Sequence, residues 1–233
     1  MLGIVVLAAG RGKRMGAGGN KLFLPLGGQS VLSLALCHIR AGAPACPLMV
    51  VYRPGEKALV QAALAEASLD PDEVLLTEGG AERQDSVRQA LSALPADWDR
   101  VLIHDGARPI LRAALMARLV RGLDQAAAVI PVLPVTDTVK QVDSEGYVLK
   151  TVDRTKLYRV QTPQAFQVAP LQAYHSRALE EGLAVTDDAA LMEAYGEAVL
   201  TVAGDPYNIK VTLPADLPLA ELYLKESGLC GSD

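Results

Sequence analysis

The feature that most constrains the fold of this chain is a regular alternation of short apolar runs with amphipathic segments. The first run, Gly3–Ala8, is continuously apolar, which predicts a strand buried on both faces. Further strands are predicted at Leu48–Tyr52, Val74–Leu76, Val101–Ile103 and Ala127–Leu133. Helices are predicted at Ser30–Ala41, Glu56–Ala67, Arg83–Leu94 and Leu111–Leu123. This order predicts a doubly wound, mostly parallel α/β sheet with helices on both faces.

Three loops at the ends of predicted strands mark the expected ligand site. They begin at Ala9, Thr77 and His104, and each contains glycine together with charged residues. Ligands of open α/β sheets bind in the crevice beyond the carboxyl ends of the strands. We therefore expect these three loops to meet on one side of the molecule.

The alternation stops in the middle of the chain, where a hairpin is predicted. Two β-prone segments, Val135–Val142 and Tyr147–Val152, flank the turn Asp143–Gly146. A two-stranded hairpin alone is marginally stable in water, so it needs a surface to pack on. Residues 135–152 are therefore predicted to form a β-arm for dimerisation, on a chain that is otherwise a single domain over residues 1–233.

Composition limits the classes of function that remain. A formal net charge of −5 gives no support to a nucleic-acid-binding or membrane-binding surface. No apolar stretch approaches the roughly 20 residues that span a bilayer. Cys37, Cys46 and Cys230 are far apart and odd in number, which predicts reduced thiols in a cytoplasmic protein. Phosphate chemistry in so acidic a chain requires a local basic cluster.

The loop after the first strand contains such a cluster. Arg11, Lys13, Arg14 and Lys21 lie close together among small residues and glycines, which let backbone N–H groups approach an anion. The glycine spacing is not that of a dinucleotide-binding loop, and Lys13 is not followed by serine or threonine as in a Walker A loop. A solvated surface loop is the alternative. The position of the basic loop directly after the first buried strand favours triphosphate binding over this alternative.

The loop after the fourth strand offers a carboxylate and a guanidinium. Asp105 can hold Mg²⁺ directly or through water, or accept a hydroxyl, and Arg108 has the planar fork that suits phosphate oxygens. A turn in which Asp105 caps the backbone and pairs with Arg108 is the structural alternative. Placement opposite the basic loop favours a role in binding.

Four other segments contain candidate binding residues or a structural cap. Gly80 and Ser86 can present hydrogen-bonding groups to a base, or merely belong to a helix start. Lys210 lies in a β-prone apolar run, where it needs an anion if buried, or serves as an edge-strand lysine. Arg154 and Thr162 are candidates for phosphate contacts. The segment 186–189, with sequence TDDA, is interpreted as a helix N-cap.

Taken in order, these motifs resemble one family from about residue 5 to about residue 223. The motifs are LAAGRGKRMG, GGAERQDSV, IHDGARP, PVTDTVK, TVDRTKL, QTPQ, TDDA and NIKVT. They resemble those of the 2-C-methyl-D-erythritol 4-phosphate cytidylyltransferases of non-mevalonate isoprenoid biosynthesis. The resemblance implies a Rossmann-like nucleotidyltransferase fold whose β-arm interlocks two subunits. It also implies Mg²⁺-dependent conversion of CTP and the polyol phosphate to 4-diphosphocytidyl-2-C-methyl-D-erythritol and pyrophosphate.

The resemblance also implies roles for individual residues. Arg14 and Lys21 correspond to transition-state stabilisers, and Arg154 and Lys210 to residues that position the attacking phosphate. The metal is expected to be held mainly by the CTP phosphates, with Asp105 as a further candidate through water. The implied CTP-binding residues are Ala8, Ala9, Gly10, Arg11, Gly12, Lys13, Gly80, Ser86, Asp105 and Gly106. The implied substrate-binding residues are Asp105, Arg108, Thr138, Arg154 and Thr162.

The sequence departs from the family pattern at three positions and also allows other functions. Asn20 and Leu22 stand where proline and glutamine are common in the family, and Ala81 stands where an acidic residue is frequent. The nearest alternative is a cytidylyltransferase or other nucleotidyltransferase acting on ribitol phosphate or another sugar phosphate. A non-catalytic nucleotide-binding module is a second alternative, and a dinucleotide oxidoreductase ranks last because of the glycine spacing.

Overall fold

The computed structural model describes residues 1–10 and 20–229, so the predictions for Arg11, Gly12, Lys13 and Arg14 lie outside the described residues. The strands are β1 (Leu2–Ala8), β2 (Pro25–Leu26), β3 (Gln29–Ser30), β4 (Leu48–Tyr52), β5 (Val74–Glu78), β6 (Arg100–Asp105), β7 (Ala128–Pro134), β8 (Val139–Val142), β9 (Val148–Val152), β10 (Tyr158–Val160), β11 (Gln164–Gln167) and β12 (Val199–Ala203). The α-helices are α1 (Val31–Gly42), α2 (Lys57–Glu66), α3 (Arg83–Ser92), α4 (Ala113–Gly122), α5 (Val168–Glu181), α6 (Asp188–Ala194) and α7 (Asp216–Glu226).

The main sheet confirms the predicted α/β class. Its order is β5-β4-β1-β6-β11-β7-β12. The short strand β10 also pairs with β7, along the same edge as β11. Strands β5, β4, β1 and β6 are parallel to one another, and β7 pairs in parallel with β12. Strand β11 lies antiparallel between β6 and β7, and β10 is antiparallel to β7. The sheet is therefore mostly parallel, with one reversed segment near its centre.

Burial on both faces explains why the central strands are continuously apolar. Along β1, the side chains of Ile4 and Val6 belong to one hydrophobic core, whereas that of Val5 belongs to the other. Successive side chains of a strand point to opposite faces of the sheet, so both faces of β1 need apolar residues. Helices α1, α2 and α4 supply leucines to the first core, and α3 and α5 supply them to the second.

One sequence interpretation of local structure is wrong. The β-prone segment Asn208–Thr212 forms no strand, so the interpretation of Lys210 as an edge-strand lysine fails. Val211 instead donates one backbone hydrogen bond to the carbonyl of Ala107, at 2.8 Å, and is fully buried. The apolar character of this segment reflects packing over the end of β6, because burial selects the same residue types as strand pairing does.

The predicted hairpin forms a separate two-stranded antiparallel sheet from β8 and β9. Its turn is held by Asp143, whose Oδ1 accepts hydrogen bonds from the backbone N–H groups of Glu145 and Tyr147 at 3.0 and 2.9 Å. Tyr147, Val148 and Leu149 are more than half exposed. No helix in residues 1–10 and 20–229 is long and apolar enough to cross a membrane.

Candidate active site

A cavity of about 370 Å³ lies at the carboxyl ends of β1, β5 and β6. The three loops expected from the sequence do meet there, and they are joined by residues from both ends of the chain. The lining residues are Leu7, Ala9, Gly10, Lys21, Leu22, Gly80, Ala81, Glu82, Arg83, Ser86, Asp105, Ala107, Lys210 and Thr212. The cavity therefore brings together two lysines that are far apart in sequence.

Small residues let the first two loops approach each other closely. A Cβ atom added at Gly79 would lie 2.4 Å from the Cβ of Ala9 and 2.8 Å from the Oγ of Ser86. The N–H of Gly80 donates to the Oγ of Ser86 at 3.1 Å, and that hydroxyl donates to the carbonyl of Glu82 at 3.1 Å. This segment is thus a capped helix start, as the structural alternative holds, and it also forms one wall of the cavity.

Asp105, the last residue of β6, is the electrostatic centre of the cavity. Its Oδ2 accepts a hydrogen bond from the Nζ of Lys210 at 2.7 Å, and its Oδ1 lies 3.6 Å from the Nε of Arg83. Burial alone would raise the pKa of Asp105, but the charges of Lys210 and Arg83 hold it well below its usual range. Asp105 is therefore a permanent carboxylate that holds cations in place and is unsuited to proton transfer.

The structural alternative for this loop is right about the turn, but the guanidinium of Arg108 donates elsewhere and acts on the Asp105 carboxylate only through its charge. The backbone N–H of Arg108 donates to the carbonyl of Asp105 at 3.0 Å, which closes the turn. Its Nη1 donates to the carbonyl of Asn208 at 2.8 Å, and burial lowers the pKa of this guanidinium. Arg108 thus ties the turn after β6 to the segment that carries Lys210.

Arg83 is a cavity residue to which the sequence gave no role. Its Nη1 donates to Oδ2 of Asp188 at 2.7 Å, and Oδ1 of Asp188 lies 3.1 Å from the Nε2 of His175. Burial opposes its charge, but the carboxylates of Asp188 and Asp105 raise the pKa of Arg83 above its ordinary value. The N-cap prediction is confirmed next to this pair, since Asp187 accepts a hydrogen bond from the N–H of Ala190 at 2.9 Å.

The segment carrying Lys210 is fixed by amide side chains. Gln161 donates through its Nε2 to the carbonyl of Asn208 at 3.1 Å, and Asn208 donates through its Nδ2 to the carbonyl of Thr162 at 2.7 Å. The hydroxyl of Thr162 accepts from the N–H of Asp105 at 2.9 Å. These buried contacts couple β6 to the Lys210 segment, while the predicted contact of Thr162 with substrate stays a prediction.

Several predicted site residues lie outside the cavity lining. Ala8 is fully buried at the end of β1. Gly106 donates its N–H to the carbonyl of Leu7 at 3.0 Å, which joins the turn after β6 to the end of β1. Thr138 and Arg154 are exposed at the arm, where Nη1 of Arg154 donates to the carbonyl of Thr136. Their assigned contacts with ligand stay predictions.

His104 makes the stability of this region dependent on pH. Its Nδ1 lies 3.2 Å from the hydroxyl of Thr162 and its Nε2 lies 3.0 Å from the carbonyl of Arg108. It is completely buried, and burial lowers its pKa to about 4. In the unfolded state this imidazole has an ordinary pKa of about 6.5. Between about pH 6.5 and 4, His104 is therefore protonated in the unfolded state but neutral in the folded state.

The stabilising effect of neutral His104 is expected to be complete above about pH 6.5 and to be lost as the pH falls towards 4. Urea unfolding of wild type and of His104→Gln, measured between pH 7.5 and about 4.5, checks this. The wild-type free energy of unfolding should fall more steeply than that of the variant. Equal slopes would contradict the assignment, because contributions from other groups cancel in the difference.

A mostly parallel α/β sheet with small residues, two lysines and a strand-end carboxylate at one cavity is the arrangement expected of a nucleotidyltransferase. The profile of the 2-C-methyl-D-erythritol 4-phosphate cytidylyltransferase family matches residues 2–226, and the chain belongs to that family. It is a cytidylyltransferase that joins CTP to 2-C-methyl-D-erythritol 4-phosphate in isoprenoid biosynthesis.

Individual relatives agree over nearly the full chain. The chain is 44% identical over 221 residues to the 2-C-methyl-D-erythritol 4-phosphate cytidylyltransferase of Prochlorococcus marinus, covering 95% of this chain and 97% of the relative. The solved 4-diphosphocytidyl-2C-methyl-D-erythritol synthase of Anaerococcus prevotii superposes with a TM-score of 0.83 at 30% identity, covering 96% of each chain. The solved cytidylyltransferase of Thermus thermophilus gives a TM-score of 0.78 at 35% identity, covering 97% of this chain and 100% of the other.

Proposed function

We propose that the cavity at the ends of β1, β5 and β6 is the place where CTP and the polyol phosphate react. The observation that carries this proposal is the meeting of Lys21, Lys210 and Asp105 at one cavity. Ala9 and Gly10 provide a small-residue wall, where a triphosphate can approach the backbone. Ser86 lies at the wall formed by the second loop, where the cytosine base is proposed to lie.

The chemistry needs cations more than a general base. The phosphate of the acceptor is already a competent nucleophile at neutral pH, but it must approach the α-phosphorus of another polyanion. Lys21 and Lys210 offset that repulsion as negative charge develops on the oxygens of the α-phosphate. Arg14 is proposed for the same role from the family resemblance. Asp105 keeps the ammonium of Lys210 at a fixed place, 2.7 Å from its own oxygen.

The proposal includes a magnesium ion that arrives with the nucleotide. Within residues 1–10 and 20–229, no group of three or more His, Cys, Asp or Glu side chains is placed to hold a metal. Glu82 and Asp105 are carboxylates at the cavity wall, and the oxygens of Asp105 already face Lys210 and Arg83. We therefore assign most ligands to the CTP phosphates, with Asp105 contributing through water. The ion would supply neutralisation of phosphate charge.

The proposal includes a homodimer in the cytoplasm, in which the arm of one subunit completes the cleft of the other. Support comes from Tyr147, Val148 and Leu149, which are 70%, 59% and 59% exposed on an isolated hairpin. Further support comes from Thr138 and Arg154, which are assigned to the acceptor site but do not line the cavity of their own chain. A neighbouring subunit accounts for both observations.

Pyrophosphate release tests the proposed reaction directly. Purified protein with Mg²⁺ and CTP is offered methylerythritol phosphate or ribitol phosphate in separate assays. We expect rapid release with methylerythritol phosphate alone and loss of turnover when EDTA removes the metal, with activity restored by added Mg²⁺. Preference for ribitol phosphate would overturn the acceptor assignment. Silence with both acceptors, despite CTP binding, would favour a binding module.

A further inference from the structure

The residue before Lys21 makes a contact that the proposed reaction does not explain. Asn20 is the N-cap of a short 3-10 helix, Lys21–Phe23, and its Oδ1 accepts a hydrogen bond from the N–H of Leu22 at 3.2 Å. Its Nδ2 donates to Oε2 of Glu56 at 2.8 Å. Asn20 is 8% exposed, so both halves of its carboxamide are committed in a largely buried place. One side chain thus serves as a helix cap and as a tertiary link.

Glu56 is placed for this link rather than for a role in its own helix. It occupies the N-cap position of α2, yet its side chain makes no capping hydrogen bond there. Its other oxygen, Oε1, lies 3.7 Å from Nη1 of Arg53. The carboxylate oxygen Oε2 of Glu56 instead serves as the acceptor for the carboxamide of Asn20.

The two residues on either side of Lys21 are therefore both fixed. Asn20 is tied to Glu56, and Leu22 is 3% exposed in the hydrophobic core. Within the same turn, the N–H of Phe23 donates to the carbonyl of Asn20 at 3.0 Å, and that of Leu24 donates to the carbonyl of Lys21 at 3.3 Å. The backbone of Lys21 has little freedom, and its side chain lines the cavity.

We infer that the Asn20–Glu56 hydrogen bond positions Lys21 for the reaction. Asn20 and Glu56 are positioning residues in this inference, because they act through Lys21 and do not line the cavity. The inference rests on the proposed role of Lys21 as a stabiliser of the transition state. Consider a change that keeps the cap but breaks the link to Glu56. It should raise the activation free energy of the reaction more than it lowers the free energy of unfolding.

Asn20→Asp separates the two halves of the contact. Aspartate caps a helix about as well as asparagine, so the bond from Leu22 is kept. The new carboxylate faces that of Glu56 and repels it, which displaces Lys21. We expect kcat to fall on the order of 10- to 100-fold, with KM for the acceptor little changed. Adding Glu56→Gln restores a carboxylate–carboxamide pair with the donor reversed, and most of the lost kcat should return.

Asp70→Asn is the matched control for this exchange. Asp70 caps the short 3-10 helix Pro71–Glu73 through a 2.9 Å bond from the N–H of Asp72, so the same two side chains are exchanged away from the cavity. This variant should keep wild-type kcat. Asn20→Ser can cap but is too short to reach Glu56, so it should lose kcat with a modest fall in Tm from the lost hydrogen bond. It provides a second variant if Asn20→Asp folds poorly.

Three results would overturn the inference. The first is wild-type kcat in Asn20→Asp, and the second is a loss of kcat that Glu56→Gln does not repair. The third comes from the background Lys21→Ala, where Asn20→Asp should cause no further loss, so an undiminished second loss excludes action through Lys21. A wild-type kcat in Lys21→Ala alone would instead refute the proposed role of Lys21, and pyrophosphate release by the wild type tests the reaction separately.

Discussion

Lys21→Ala is expected to lower kcat by about 10²- to 10³-fold, because one preorganised cation is lost where negative charge develops in the transition state. Lys21 lies at the cavity wall and belongs to a helix whose neighbouring residues, Asn20 and Leu22, are held in place. The side chain is only partly buried, so the free energy of unfolding should change far less than the activation free energy. Steady-state pyrophosphate release under saturating CTP and acceptor, together with urea unfolding, measures both quantities.

Two further variants show whether the effect of Lys21→Ala depends on charge at this position. Lys21→Arg keeps the positive charge and should retain more activity than Lys21→Ala, although its planar fork does not reproduce an ammonium. Lys57→Ala removes a lysine from the exposed start of α2 and should leave kcat unchanged. A kcat within a few-fold of wild type for Lys21→Ala would contradict the assigned role.

Removal of the hairpin residues 139–152 from the arm is expected to convert the proposed dimer into an inactive monomer. Val139 and Val152 pair across the hairpin, so the two ends of the segment 139–152 lie side by side. A short glycine-serine link can therefore replace this segment. The bond from the N–H of Val135 to the carbonyl of Leu157, at 3.1 Å, lies outside the deletion. Sedimentation gives the mass, and fluorescence of Trp98, which is 3% exposed, reports whether the core is intact.

Mixed dimers decide whether the arm acts in trans. Arg154→Ala and Lys21→Ala chains should each be nearly inactive alone. If Arg154 serves the neighbouring cleft, a dimer containing one chain of each kind has one complete site, and random exchange restores about a quarter of wild-type activity. A fully active deletion variant would remove the case for the arm, and mixtures without restored activity would show that Arg154 acts within its own chain.

Strands β1, β4, β5, β6 and β7 and the outline of the cavity were predictable because their causes are local in sequence, whereas β10, β11 and β12 were not predicted. Continuously apolar strands such as β4, which has the predicted bounds, are required wherever both faces of a sheet are covered. The carboxyl ends of neighbouring parallel strands lie on one side, so the loops at Ala9 and Asp105 had to meet. The family resemblance made Lys21 and Lys210 candidates for the cations of the site, and both line the cavity.

The parts that escaped prediction depend on pairing between distant residues. Arg83 and Asp188 are 105 residues apart, and their 2.7 Å ion pair leaves no periodic signal in the sequence. The segment 208–212 was misjudged because β-branched and apolar residues report burial as well as strand pairing. The link between Asn20 and Glu56 has the same origin, since each residue taken alone is an ordinary cap or surface acid.

The reversed strand in the middle of the sheet governs the order in which the protein can be assembled during synthesis. Strand β11 lies between β6 and β7, although it follows both along the chain. A nascent chain that has emerged only as far as Pro134 therefore presents β6 with an unpaired edge, and such edges invite association with other chains. The edge is closed once Gln167 has left the ribosome, and Lys210 follows later still. The proposed active site is therefore incomplete until residue 210 has been made.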